Sequence, residues 1–323
     1  MLTQWWRALS TLLLGLWACA GGAWAASCAT QGLVWQRLTE QALWLPGEAG
    51  DADAANRGRV SAVMAVQVPG DGRVWLLGSG PSPALGQALA CSLAQQTGWQ
   101  VSDIVNPWAR PELVLGNRAW PQAALWAHEA VAAAMHQQCA HCEERLKVRM
   151  GAAAQDLGAD TVVTVPGVAG LAGGLVSGDQ GELGPWVWWK LKRTPQQPVL
   201  VWRLKRAAFW SAPGLLWADG PPDLRDADLR TLQASLKQLS GLSRLDGAAV
   251  VWLPEQGPAQ GSALLAQSAD YLDALAQAIR ARQAGGGLET DAPGRWPALP
   301  AGWGEHPRHA LNWQRAWRQI EEE

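Results

Sequence analysis

The stretch NPWARPELVLGN, residues 106–117, presents an indole, a guanidinium and a carboxylate within five residues. It follows VSDIV, an apolar run that reads as a buried strand. Asn106, Pro107, Gly116 and Asn117 frame a tight loop at that strand's end, where sites are usually built. The groups it offers are Trp108, Arg110, Glu112 and Leu113. Arginine stays protonated and presents a planar fork to carboxylate, sulfate or phosphate, so Arg110 suits an anion or an internal pairing with Glu112. Nothing in the loop is a nucleophile. The chain has no G-x-S-x-G elbow, and GSGPSPALG at 78–86 is a degenerate match to a dinucleotide loop. His128-Glu129 lacks the second histidine of a zincin helix, and an isolated histidine such as His309 more often makes a structural hydrogen bond.

The elements that must hold this loop alternate between strands and helices. LVWQRLTEQALWLP (33–46) reads as an edge strand, and VSAVMAVQV and VWLLGS as strands joined by PGDG, whose Asp-Gly is a hairpin signal. Ser82 and Pro83 open a helix as N-cap and first-turn proline. A long helix is expected from Trp126 to Met150. DTVVTV, PWVWWKL, PVLVWRL and RAAFWS follow as short strands. Asp226 is expected to cap a helix that stops at Gly241. GAAVVWLP is a strand, 258–284 is mostly helix, and HALNWQRAWRQIEEE is a terminal helix. Strands with helices between them, twice over, fit an α/β four-layer αβ/βα sandwich: two packed sheets with helices on both outer faces. With no short repeat and no long linker, residues 26–323 read as a single domain.

The chain has 323 residues, a net charge of −2 and only 17% charged residues, so no basic footprint points to nucleic acid. Tryptophan is overused, with 22 against one Phe and one Tyr, and the expectation is that it fills core positions where other chains use Phe or Tyr. Residues 1–25 read as a signal peptide: MLTQWWR, then an apolar run too short to span a bilayer, then Ala23-Trp24-Ala25 as a small-x-small cleavage site. Cys19 ends a poor lipoprotein box, because Trp17 sits where a small residue is needed. No later run is long and apolar enough for a membrane helix, so a periplasmic protein is expected. Cleavage leaves Cys28, Cys91, Cys139 and Cys142. Export and C-x-x-C spacing favour a Cys139–Cys142 disulfide over a metal site in HQQCAHC or a redox dithiol. Four cysteines allow three pairings, and the pairing of Cys28 and Cys91 stays open.

The 101–117 stretch resembles the strand and loop that carry the H-x-H-x-D-H zinc motif of metallo-β-lactamase-fold hydrolases. The chain is most similar to the periplasmic subgroup associated with quinoprotein relay systems. VWLLGSGPSPALG is similar to the family's strand and IDTGPSPALG turn, and LKRTPQQPVLVW to its HTPG…VLW strand pair. FWSAPGLLWADGPPDLRDADL, VVWLPEQGP and HALNWQRAWRQIE match further family stretches in the same order. The resemblance implies the four-layer fold and would imply a zinc-bound hydroxide as nucleophile. It also implies that the ligands are gone. Trp108 and Arg110 stand at the first two histidines, Glu112 at the aspartate and Leu113 at the last histidine. Arg193, Pro213 and Gln256 stand at the three remaining ligand positions, and Gly78 at the aspartate of the turn. Indole, aliphatic and guanidinium groups cannot hold zinc.

The expectation is therefore a pseudo-hydrolase with no cofactor, the alternative being a hydrolase with an altered or metal-free site. Its expected ligand positions are Trp108, Arg110, Glu112, Arg193 and Gln256. Two guanidiniums facing one carboxylate would leave net positive charge for a small anion. A periplasmic quinoprotein or another protein partner is expected from the family association alone.

Overall fold

The computed structural model describes residues 32–157, 163–291 and 299–322. The expected leader and Cys28 lie outside the described residues. Among these residues the strands form two sheets. In the first, β1 (Gln36–Arg37), β2 (Ala42–Leu45), β3 (Val63–Gln67), β4 (Val74–Leu77), β5 (Val101–Asn106), β6 (Ala124–His128) and β7 (Gly173–Val176) lie side by side in chain order. Neighbours are antiparallel as far as β4 and parallel from β4 to β7. The second sheet comprises β8 (Gln180–Leu183), β9 (Trp186–Thr194), β10 (Gln197–Leu204), β11 (Phe209–Ser211) and β12 (Val251–Leu253), ordered β12-β11-β10-β9-β8.

Side-chain alternation sorts residues between two cores. Val63, Ala65, Val74 and Leu76 face outward onto Leu85, Leu89 and Leu93 of helix α1 (Pro83–Thr97). Met64, Val66, Trp75 and Leu77 face inward and join Trp186, Trp188, Val199 and Val201 of the second sheet. The second sheet's outer face carries α5 (Leu229–Ser243), which packs on β9; α6 (Ala263–Ala284) packs on α5, and α7 (Pro307–Glu321) on α6. Three further helices complete the order: α2 (Pro111–Val114), α3 (Glu129–Gln138) and α4 (Cys142–Met150). This is the four-layer αβ/βα sandwich expected from the alternation.

The caps divide evenly between expectation and surprise. Ser82 does cap α1, its hydroxyl accepting from the Leu85 amide, and Pro83 occupies the first turn. Asp228, not Asp226, caps α5 by accepting from the Thr231 amide, and the helix runs past Gly241 to Ser243. The expected long helix over 126–150 is broken. Trp126, Ala127 and His128 belong to β6, seated between β5 and β7, and the His128 side chain then caps α3 through the Ala130 amide. The alanines that follow gave the region a helical composition that hid the strand. β7 was also hidden, because its two glycines are poor strand formers. A Cβ at Gly173 would collide with the backbone of Leu125 on β6, so pairing there requires glycine.

Several of the tryptophans act as bulk. Trp44, Trp186, Trp188, Trp202 and Trp252 are among the largest fully buried side chains. Each leaves its indole N–H without a hydrogen-bond partner. A buried unpaired donor costs about 1–3 kcal/mol, so these indoles are kept for their area and not their polar handle.

Candidate functional site

The 106–117 loop is clamped to the turn after β4. The carboxamides of Asn106 and Asn117 pair reciprocally at 3.0 and 2.8 Å, and Asn117 also donates to the Thr164 carbonyl at 2.7 Å. The Ser79 amide donates to the Leu113 carbonyl, and the Gly116 amide to the Gly80 carbonyl, both at 2.8 Å. Gly78 has φ +83°, and a Cβ there would sit 2.8 Å from Cδ2 of Leu113. Leu113 thus fills the space that a side chain at position 78 would need. The two residues compensate each other.

Arg110 is the centre of the cavity beneath this loop. Its Nε donates to Glu112 Oε2 at 3.0 Å and its Nη1 to Glu255 Oε1 at 3.2 Å. Glu255 is 1% exposed; it also accepts from the Ser61 hydroxyl and, through Oε2, from the Gly214 amide at 3.1 Å. Glu112 is the one carboxylate expected here from the sequence, and the structure corrects this: Glu255 joins it, both carboxylates pair with Arg110, and two carboxylates beside two guanidiniums cancel the expected net positive charge. Glu255 was overlooked because it sits one residue before Gln256, the position aligned with a ligand. Burial pushes the Glu255 carboxyl above its ordinary range against the pull of Arg110. Burial opposes the charge on Arg110 too, but the two carboxylates outweigh it and hold the guanidinium firmly protonated.

Arg193, at the end of β9 and 2% exposed, is held differently. It donates to the carbonyls of Gly214 and Asp223, the latter at 3.0 Å, and its Nε has no partner. Its guanidinium carbon lies 4.8 Å from the ring centre of Trp108 and 5.5 Å from that of Trp217. Arg110 approaches Trp108 as well, at 5.2 Å. Trp108 therefore serves both guanidiniums as a π surface. Burial lowers the Arg193 pKa to about 10, with the Asp223 charge opposing the fall. Gly214, at φ +73°, leaves room for this stack, since a Cβ would lie 2.9 Å from the Trp108 ring.

Gln256 is not part of the same cavity. Its amide donates to the Gly50 carbonyl at 2.7 Å and accepts from Arg308 at 2.6 Å, and Arg308 is in turn paired with Asp219. Backbone direction explains this: Glu255 and Gln256 are consecutive, and Glu255 takes the inward orientation.

Comparisons with solved structures bear on this architecture. A metallo-β-lactamase from Pontibacter korlensis shares 13% identity with a TM-score of 0.51, covering 75% of this chain and 99% of its own. One from Pseudomonas aeruginosa in a mono-zinc form shares 14% with a TM-score of 0.56, covering 75% and 95%. The chain has the metallo-β-lactamase fold. No family model matches the sequence, and no curated protein matches it either.

In a metallo-β-lactamase fold a metal at this strand end would need several imidazole, thiolate or carboxylate donors around one point. Among the described residues no three His, Cys, Asp or Glu come together so. The residues present do not fit zinc: Arg110 lies between the two carboxylates and repels a cation. Three of the five histidines are employed elsewhere. His128 and His306 cap α3 and α7, and His309 bonds the Tyr271 hydroxyl at 3.1 Å. Cys139 and Cys142 are joined as a disulfide, which removes the thiolates of HQQCAHC as ligands.

Proposed function

We propose that this chain is a non-catalytic member of its fold, a pseudo-hydrolase whose zinc ligands have been replaced by an internal ion-pair network. The Glu112–Arg110–Glu255 bridge carries this reading. One permanent cation occupies the point where a metal would bring two positive charges, and the two carboxylates that could ligate are spent on it. Among the described residues the cavity lining holds no serine, threonine, cysteine or lysine, which supports a non-catalytic reading over a metal-free hydrolase. The leader-like N-terminus supports export to the periplasm, and the resemblance to quinoprotein-associated proteins supports work beside a quinoprotein or another protein partner.

Purified protein assayed against a β-lactam, a thioester and a phosphodiester, with and without added zinc, is expected to show no metal-dependent turnover. Turnover that zinc restores after chelation would overturn the reading.

A further inference from the structure

Arg110, Arg145, Arg149, Arg193, Arg225 and Arg315 line a single cleft of about 480 Å³ that opens from the ion-pair network to solvent. The carboxylates lining it are Glu112, Asp223 and Asp226. Their pairing is uneven. Arg110 is committed to Glu112 and Glu255, and Arg225 to Asp223 and Asp51. Arg149 stands 3.6 Å from Glu112, a carboxylate already held by Arg110. Arg193 has carbonyl and indole partners but no carboxylate, and its buried Nε is unpartnered. Arg145 donates to the Gln138 carbonyl at 2.9 Å and to Cys142 Sγ at 3.5 Å, and to no carboxylate. Arg315 makes no ion pair among the described residues. Asp226 is exposed, makes no salt bridge among the described residues and acts on Arg193 only through its field, so it offsets one of these cations at most.

Among the described residues, the cations without a carboxylate partner are therefore Arg145 and Arg315 at the mouth of the cleft and Arg193 at its floor. Arg145 and Arg149 are four residues apart on α4, on one face, where like charges repel unless something negative lies between them and solvent. Arg315 comes from α7, far away in sequence. Guanidinium forks match carboxylate and phosphate oxygens through paired hydrogen bonds, and the cleft has the volume of a small-molecule site.

We propose that the cleft mouth is a receptor for a small polyanion, a molecule bearing two or more carboxylate or phosphate groups. Arg145, Arg149 and Arg315 take its charged groups, and Arg193 supplies a buried cation at the floor. This rests on reading the cavity as a ligand site and not a metal site. The disulfide helps to hold the receptor, since Cys142 opens α4 and its sulfur touches Arg145.

Calorimetric titration with citrate and with pyrophosphate, at matched ionic strength against sodium acetate and sodium chloride, tests this. Saturable binding of at least one polyanion is expected, absent with acetate and chloride. Citrate alone would assign carboxylate chemistry and pyrophosphate alone phosphate chemistry. Both binding would support the shared oxyanion chemistry. The doubly substituted protein Arg145→Met, Arg315→Met should bind about tenfold more weakly or worse, about 1.4 kcal/mol, with an unchanged circular dichroism spectrum. If it does not fold, Arg315→Gln, on an exposed face of α7, carries the test with the same expected direction. A wild-type response no larger than that of chloride, or equal binding by the folded variant, overturns the proposal. Zinc measured on the same samples reports separately on the non-catalytic reading.

Discussion

Replacing Arg110 with methionine is expected to destabilise the protein by about 3–5 kcal/mol, the range for removing one partner of a buried charge network. Methionine keeps the length of the side chain but strands two buried carboxylates. Glu112 retains only the more distant Arg149, and Glu255 only the Ser61 hydroxyl and the Gly214 amide. The pH dependence has a definite sign. Glu255 already titrates above its ordinary value because it is buried, and it would climb further without Arg110. A carboxyl whose folded pKa exceeds its unfolded one favours folding at low pH, and that contribution is lost as pH rises between the two values. The defect should therefore be deepest at neutral pH and shallower in acid. Adding Glu255→Gln to the variant should recover part of the loss, because one stranded charge is removed. Urea unfolding at two pH values measures all three; wild-type stability, or a defect that deepens in acid, would show that the network is not what holds this cavity.

Gly116→Ala is expected to cost about 3 kcal/mol or more, at the upper end of overpacking penalties. A Cβ at this position would land on the carbonyl of Ser79, with the Gly80 carbonyl 3.0 Å away. Both obstacles are backbone, in a turn tied by the Gly116–Gly80 and Ser79–Leu113 hydrogen bonds, so neither can swing aside. Gly241→Ala is the matching control. Position 241 lies inside α5 with nothing near its missing Cβ, so alanine should stabilise by about 0.5–1 kcal/mol through helix propensity. Thermal melts that ranked the two variants in the opposite order would contradict the clamp between loop and turn.

Much of this architecture is legible in the chain. The apolar runs VSAVMAVQV and VWLLGS around the Asp-Gly of PGDG mark an antiparallel strand pair of the first sheet, and Ser82-Pro83 marks the start of α1. β6 was not legible because a strand between two parallel neighbours loses its alternation, and β7, at the sheet edge, because Gly173 and Gly174 argue against a strand. In the cavity, Trp108, Arg110, Glu112 and Arg193 were found by position and do come together. Glu255 was not, since only the backbone twist at the end of β12 decides which of two adjacent polar residues points inward. That one residue cancels the net positive charge expected at the base of the cleft. The arginines at the mouth belong to α4 and α7, which are far apart in sequence, so no local pattern announces their meeting.

Zinc content tests the central claim most directly. The mature protein, dialysed against a weak chelator and analysed by elemental emission, is expected to retain well under one zinc per chain, because Arg110 bridges Glu112 and Glu255 at the site. One tightly held zinc per chain, lost on replacing Glu112 or Glu255 with glutamine, would contradict it.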